Sequence, residues 1–194
     1  MKLTPTRIPD VVLIDHDLFG DERGWFMESF NEPRFHRELK ALGLPIPRPF
    51  VQDNHSCSRA GVLRGLHYQM APHAQGKLVR VARGSVYDVA VDLRPDSPSF
   101  GQWVGFELSA SNHQSAWIPE GFAHGFLALE DNTEFLYKTT DVYAKACERS
   151  ILWSDATLAI DWPTLPKGIS VTVAPKDAAA PDLATARHEL THTS

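Results

Sequence analysis

The chain of 194 residues is 43% hydrophobic and 22% charged, enough to bury a substantial core and far from the composition of disordered segments, so one folded domain over residues 1–194 is expected. A formal charge of −5 and a pI near 6.0 exclude the concentrated cationic surface that nucleic acids demand, while leaving room for a local cationic pocket around one small anion. The opening MKLTPTRIPD lacks an apolar leader and no run reaches the roughly 18–20 apolar residues that cross a bilayer, so no membrane partner and a cytoplasmic location are expected.

Val11 to Ile14 form a short apolar run ending at Asp15, and Phe19 to Gly24 read as a hairpin turn leading into the aromatic-rich strand Trp25 to Phe30. Asn31 can cap a helix over Glu32 to Leu42, which Gly43 and Pro45 stop. Pro45, Pro47 and Pro49 then make an extended connector, after which Val51 begins a strand. Val62 to Gln69 and Lys77 to Ala82 are two more strands, joined by a loop containing glycine and histidine.

From Ser85 to Leu93 the pattern alternates, with Tyr87, Val89, Val91 and Leu93 on one side and Val86, Asp88, Ala90 and Asp92 on the other, so one face is expected to be core. Trp103 to Leu108, Ser115 to Ile118, Ala123 to Leu129 and Thr133 to Thr139 continue at about ten-residue spacing. That beat predicts a mainly β, antiparallel sandwich or barrel of jelly-roll type with a few short helices. Trp153 to Pro163 read as turns around a short helical piece, and residues 178–194 as a short helix or a frayed tail.

One stretch does not suit a purely structural strand pair. Between Gln52 and Arg80, the residues Gln52, Asn54, Arg64, His67, His73 and Lys77 sit among short apolar runs, and buried polar or cationic groups are costly unless paired or in use. In a strand, Gln52, Asn54, Ser56 and Ser58 share a face, which is what a ligand-facing wall looks like. Alternation puts His67 and Arg64 on opposite faces, so if both serve one pocket, Gly65 must mark a bulge or bend. Cys57 and Cys147 read as free thiols, and no C-x-x-C or H-x-H pairing suggests a metal.

These residues carry a resemblance. The strings FGDERGWFMESF, FVQDNHSCSRAGVLRGLHYQ, QGKLVRVARGSVYDVAVDLR, WIPEGFAHGF, EFLYKTTDVY, IDWP and APKD, in this order and spacing, resemble the dTDP-4-dehydrorhamnose 3,5-epimerase family over nearly the whole chain. The resemblance implies a cupin-like jelly-roll barrel and a homodimer. It also implies a cofactor-free and metal-free isomerase that epimerises a dTDP-4-keto-6-deoxyhexose at C3 and C5, on the route to dTDP-L-rhamnose. Ser154 and Ala156 depart from the Asn and Pro more usual in the family's WND-P string.

Epimerisation beside a ketone needs a base for the α-proton, stabilisation of the enolate oxygen and an acid on the opposite face. Histidine suits the base, because its neutral form is present near pH 7. By family position His67 is the base, Asp177 its orienting partner, Tyr137 the acid with Tyr143 as the nearby competitor, and Lys77 the cation for the enolate. The resemblance also assigns His124 to the site wall and Gln52, Asp53 and Asn54 to the sugar or nucleotide. Arg23, Arg64 and Lys176 are assigned to the diphosphate, and Glu28 and Glu148 are further substrate contacts. Arg23 and Glu28 lie in the N-terminal hairpin, which in the family can reach the partner subunit's site. Two alternatives stay open: a relative that epimerises only C3 or only C5, and a noncatalytic sugar-nucleotide-binding cupin.

Overall fold

The computed structural model describes residues 1–192, and among them two antiparallel sheets face each other across a barrel interior. Along the chain the elements are β1 (Lys2–Pro5), β2 (Val12–Asp15), the hairpin β3 (Leu18–Asp21) and β4 (Gly24–Met27), helix α1 (Glu32–Ala41), β5 (Gln52–Ser58), β6 (Val62–Gln69) and β7 (Lys77–Arg83). There follow β8 (Ser85–Asp92), β9 (Trp103–Ser109), β10 (Ser115–Ile118), β11 (Phe122–Ala128), β12 (Thr133–Thr139), β13 (Glu148–Ser150), β14 (Thr172–Val173), α2 (Pro175–Ala178) and α3 (Leu183–His192). One sheet has the order β1-β2-β10-β7-β12-β5 and the other β13-β6-β11-β8-β9, with β14 parallel beside β6. Neighbours distant in sequence are the mark of the jelly roll.

The strands close because each sheet has an apolar inner face. Val79, Val81 and Phe135 of the first sheet meet Val86, Ala90, Val104, Phe122 and Phe126 of the second, all buried, with Phe126 and Phe135 stacked at 4.2 Å. Each large side chain so buried contributes roughly 1.5–3 kcal/mol. Part of each outer face is covered as well. Helix α1 lays Phe35 and Leu39 on Ile14, Leu78 and Trp117, and Asn31 starts it by accepting the Arg34 amide at 3.1 Å.

On the other sheet, the C-terminal segment brings Leu158, Leu183 and Ala186 onto Val89 and Val91. Both faces of β8 are therefore core, where alternation alone predicts one; the second face is covered by residues about a hundred positions downstream. The helical piece expected between Trp153 and Pro163 is instead a run of turns. Its organiser is the buried Asp155, whose carboxylate accepts the amides of Thr157 and Leu158 at 2.8 Å and of Leu183 at 2.9 Å. The C-terminal stretch does carry a helix, α3, and the last two positions of the predicted tail, 193 and 194, lie outside the described residues. Among the described residues no helix is long and apolar enough to cross a membrane.

Candidate active site

The site grows from β6. His124 of β11 pairs with His67 while Phe126 pairs with Arg64, so β6 has one more residue than its partner between these points, a β-bulge. Gly65 makes it possible: its φ is +136°, and a Cβ there would sit 2.5 Å from the Cα of Gly125. The bulge removes the alternation conflict, and Arg64 and His67 line the same cavity.

That cavity, about 360 Å³, also gathers Ser56, Lys77, His124, Tyr137, Tyr143, Glu148, Lys176 and Asp177. Asp177, on the short helix α2, is 2% exposed and holds His67 Nε2 at 2.7 Å, while its second oxygen accepts the Gly65 amide at 3.3 Å. Burial alone pushes the Asp177 carboxyl up, but the hydrogen bonds and charge of His67 and the Gly65 amide outweigh it and hold the group below its ordinary value. A carboxylate accepts only, so Nε2 carries the proton of this hydrogen bond.

Lys77 is buried and donates to the His67 carbonyl at 3.0 Å. Burial lowers its ammonium to about 8, although Asp88 and Glu148 pull the other way. His124 donates Nε2–H between both oxygens of Asp88 at 3.0 Å. Burial lowers the His124 pKa, with Lys77 and His67 adding repulsion, so its neutral form is favoured despite Asp88. Asp88, wholly buried, is a site residue that the sequence reading missed. Its signal was present: a carboxylate between Val86 and Ala90, two apolar residues of the same strand face.

Tyr137 enters from β12, opposite Asn54 of β5. Burial raises its phenol above the usual value, opposed by the charges of Arg64 and Lys176, so it stays a proton donor at neutral pH. At the cavity mouth Glu148 accepts from Lys176 Nζ at 2.9 Å and from Tyr143 Oη at 3.0 Å. The Lys176 bond first, and the Tyr143 bond with it, hold the Glu148 carboxyl low. Arg64 is anchored to Ser58 Oγ at 3.2 Å.

The other predicted residues lie elsewhere. Gln52 and Asn54 share the inward face of β5 with Ser56 but stand beyond the cavity lining; Gln52 donates to Asn54 Oδ1 at 3.0 Å and accepts from the Tyr143 amide at 2.9 Å. Asn54 Nδ2 and Ser56 Oγ are buried without partners, two polar groups left for something to bind. Asp53 does not belong with its neighbours: strand alternation turns it to the outer face, where it meets Lys138 at 2.8 Å. Arg23 pairs with Asp21 in the exposed hairpin, and Glu28 pairs with Arg34 and Asn31, so neither reaches the cavity. Ser154 and Ala156 are exposed and away from the lining, so those departures leave the cavity unchanged. Among the described residues no three His, Cys, Asp or Glu side chains group as metal ligands.

With this geometry in place, the similarities are informative. The family model described as dTDP-4-dehydrorhamnose 3,5-epimerase matches residues 5–185. The dTDP-4-dehydrorhamnose 3,5-epimerase of Shigella flexneri is 58% identical over 163 residues, 84% of this chain and 87% of that protein. The one from Salmonella typhimurium is 52% identical over 183 residues, 93% of this chain and 94% of that protein. Among solved structures, the dTDP-6-deoxy-D-glucose-3,5-epimerase of Legionella pneumophila in complex with dTDP-4-keto-L-rhamnose aligns with a TM-score of 0.88 at 49% identity, covering 97% of this chain and 96% of that one.

Proposed function

The chain belongs to the dTDP-4-dehydrorhamnose 3,5-epimerase family, an isomerase class of enzyme, and on that premise we propose that it epimerises dTDP-4-dehydro-6-deoxy-D-glucose at both C3 and C5. The observation that carries the mechanism is the 2.7 Å bond between His67 and Asp177 inside a cavity shared with Lys77 and Tyr137. The free nitrogen of His67 takes the proton from the carbon beside the C4 ketone. The electron pair moves into the C4–O bond, and the Lys77 ammonium stabilises the enolate oxygen. The Tyr137 hydroxyl returns a proton on the opposite face of the same carbon. Solvent then reprotonates the tyrosinate and accepts the proton of the histidinium, and the sequence repeats at the second carbon.

Arg64 and Lys176 suit the diphosphate, being exposed cations in the cavity lining. His124, with its proton held by Asp88, offers an acceptor to a sugar hydroxyl, while Gln52, Asn54 and Glu148 extend the wall outward. Asp53, on the outer face, has no such part within its own subunit. A homodimer is proposed as well, because the hairpin exposes Phe19 by 63%, Trp25 by 57% and Phe26 by 67%, apolar area that a partner would cover while receiving Arg23 and Glu28. A monomer by light scattering would remove that part.

Turnover in His67→Ala should fall by about a thousandfold or more, with dTDP affinity changed by less than about threefold. Parallel loss of both would indicate a binding protein in place of a catalyst.

A further inference from the structure

We propose that Gln69 is a positioning residue, whose buried carboxamide sets the mouth of the substrate cavity by tying two loops, residues 70–76 and 140–147, to the end of β6. The inference rests on the reading of this cavity as the nucleotide-sugar site. Gln69 is 6% exposed, two residues beyond His67, and lines the cavity. Its Nε2 donates to the His73 carbonyl at 2.6 Å in one loop and to the Val142 carbonyl at 3.2 Å in the other. Its Oε1 accepts the Ala144 amide at 2.8 Å. Two donors and one acceptor are what a carboxamide offers in a single plane, and here both donors and the acceptor engage loop backbone.

The loop from 140 to 147 carries Tyr143, which reaches Glu148 through its hydroxyl and Gln52 through its amide. Tyr143 N–H and the Gln69-bound groups of Val142 and Ala144 flank one another, so the carboxamide fixes the backbone on either side of the aromatic ring that walls the mouth. An outer clamp exists too: Arg48 holds Asp141 at 2.8 Å and the Ala74 carbonyl, but its side chain is 46% exposed and competes with water. The inner tie starts from a buried side chain and its bonds are partly buried, so removing the carboxamide takes three partners from the loop backbone.

The chemistry is held separately. His67 is fixed by Asp177, and Lys77 by the His67 carbonyl, neither through the mouth loops. Disturbing Gln69 therefore weakens substrate holding and spares the chemical step. Gln69→Glu keeps the shape but turns an acceptor oxygen toward two carbonyls; Gln69→Met removes all three bonds.

The test combines amide hydrogen exchange of the free protein with steady-state kinetics. In both variants the amides of 142–144 should exchange about tenfold faster at unchanged global melting, KM for the dTDP-4-keto sugar should rise about tenfold, and kcat should stay within about threefold. Wild-type exchange in these loops overturns the tie, and a fall in kcat as large as the rise in KM overturns the division of labour. The near-isosteric Glu variant decides the matter if the Met variant fails to fold. A wild-type enzyme that does not turn over the sugar defeats the functional reading instead, while the exchange result still decides whether Gln69 holds the loops.

Discussion

Lys77 is 7% exposed, and its ammonium sits where a neutral side chain would be cheaper to bury. Its pKa, lowered to about 8 by burial, has two consequences of definite sign. Below about pH 8 the folded protein carries a buried charge at full cost. Between there and the ordinary lysine value near 10.4, the unfolded chain binds more protons than the folded one, so stability rises with pH. The stability of Lys77→Met relative to wild type should accordingly drop by on the order of 3 kcal/mol between pH 7 and pH 11, read from denaturant melts. The wild-type rate should also decline above about pH 8 as the ammonium is lost. A Met-minus-wild-type difference that is flat with pH would remove the charged-lysine role.

Among elements, β6 concentrates the local constraints. A Cβ at Gly65 would meet the Gly125 Cα at 2.5 Å, and its φ of +136° is strained for any other residue. Gly65→Ala should therefore cost more than about 3 kcal/mol or prevent folding, whereas Gly20→Ala, whose nearest new contact is a carbonyl at 3.8 Å, should stay within about 0.5 kcal/mol in the same thermal melts. Equal melting temperatures for the two would contradict the bulge. The need for this bulge is legible in the sequence, because Arg64 and His67 clash with strict alternation. Helix α1 is equally legible, since Asn31 and Gly43 act locally. β13 is not: Glu148, Arg149 and Ser150 are three polar residues that form a strand through pairing with His67 to Gln69 of β6. Asp155 escapes a local reading for the same reason, as one of its three amide partners is Leu183.

For the molecule as a whole, the site exists only when the barrel is closed. His67 and Asp177 stand 110 residues apart in the chain, and Tyr137 comes from the opposite sheet. Periodicity finds strands but carries no signal for which of them meet, so only the resemblance singles out His67, Lys77, Tyr137 and Asp177 together; the fold brings all four to one cavity. It leaves Arg23, Glu28, Gln52, Asp53 and Asn54 outside that lining, because a resemblance carries positions without saying where the fold puts them. Asp88 escapes any reading that gives β8 one buried face, since both faces are core. The central claim is that His67 removes the protons at both carbons flanking the ketone. Its most direct measurement is NMR of dTDP-4-dehydro-6-deoxy-D-glucose incubated in D2O with the wild type and with His67→Ala. Deuterium should enter both C3 and C5 with the wild type and neither with the variant; no incorporation by the wild type, or incorporation undiminished in His67→Ala, would contradict the claim.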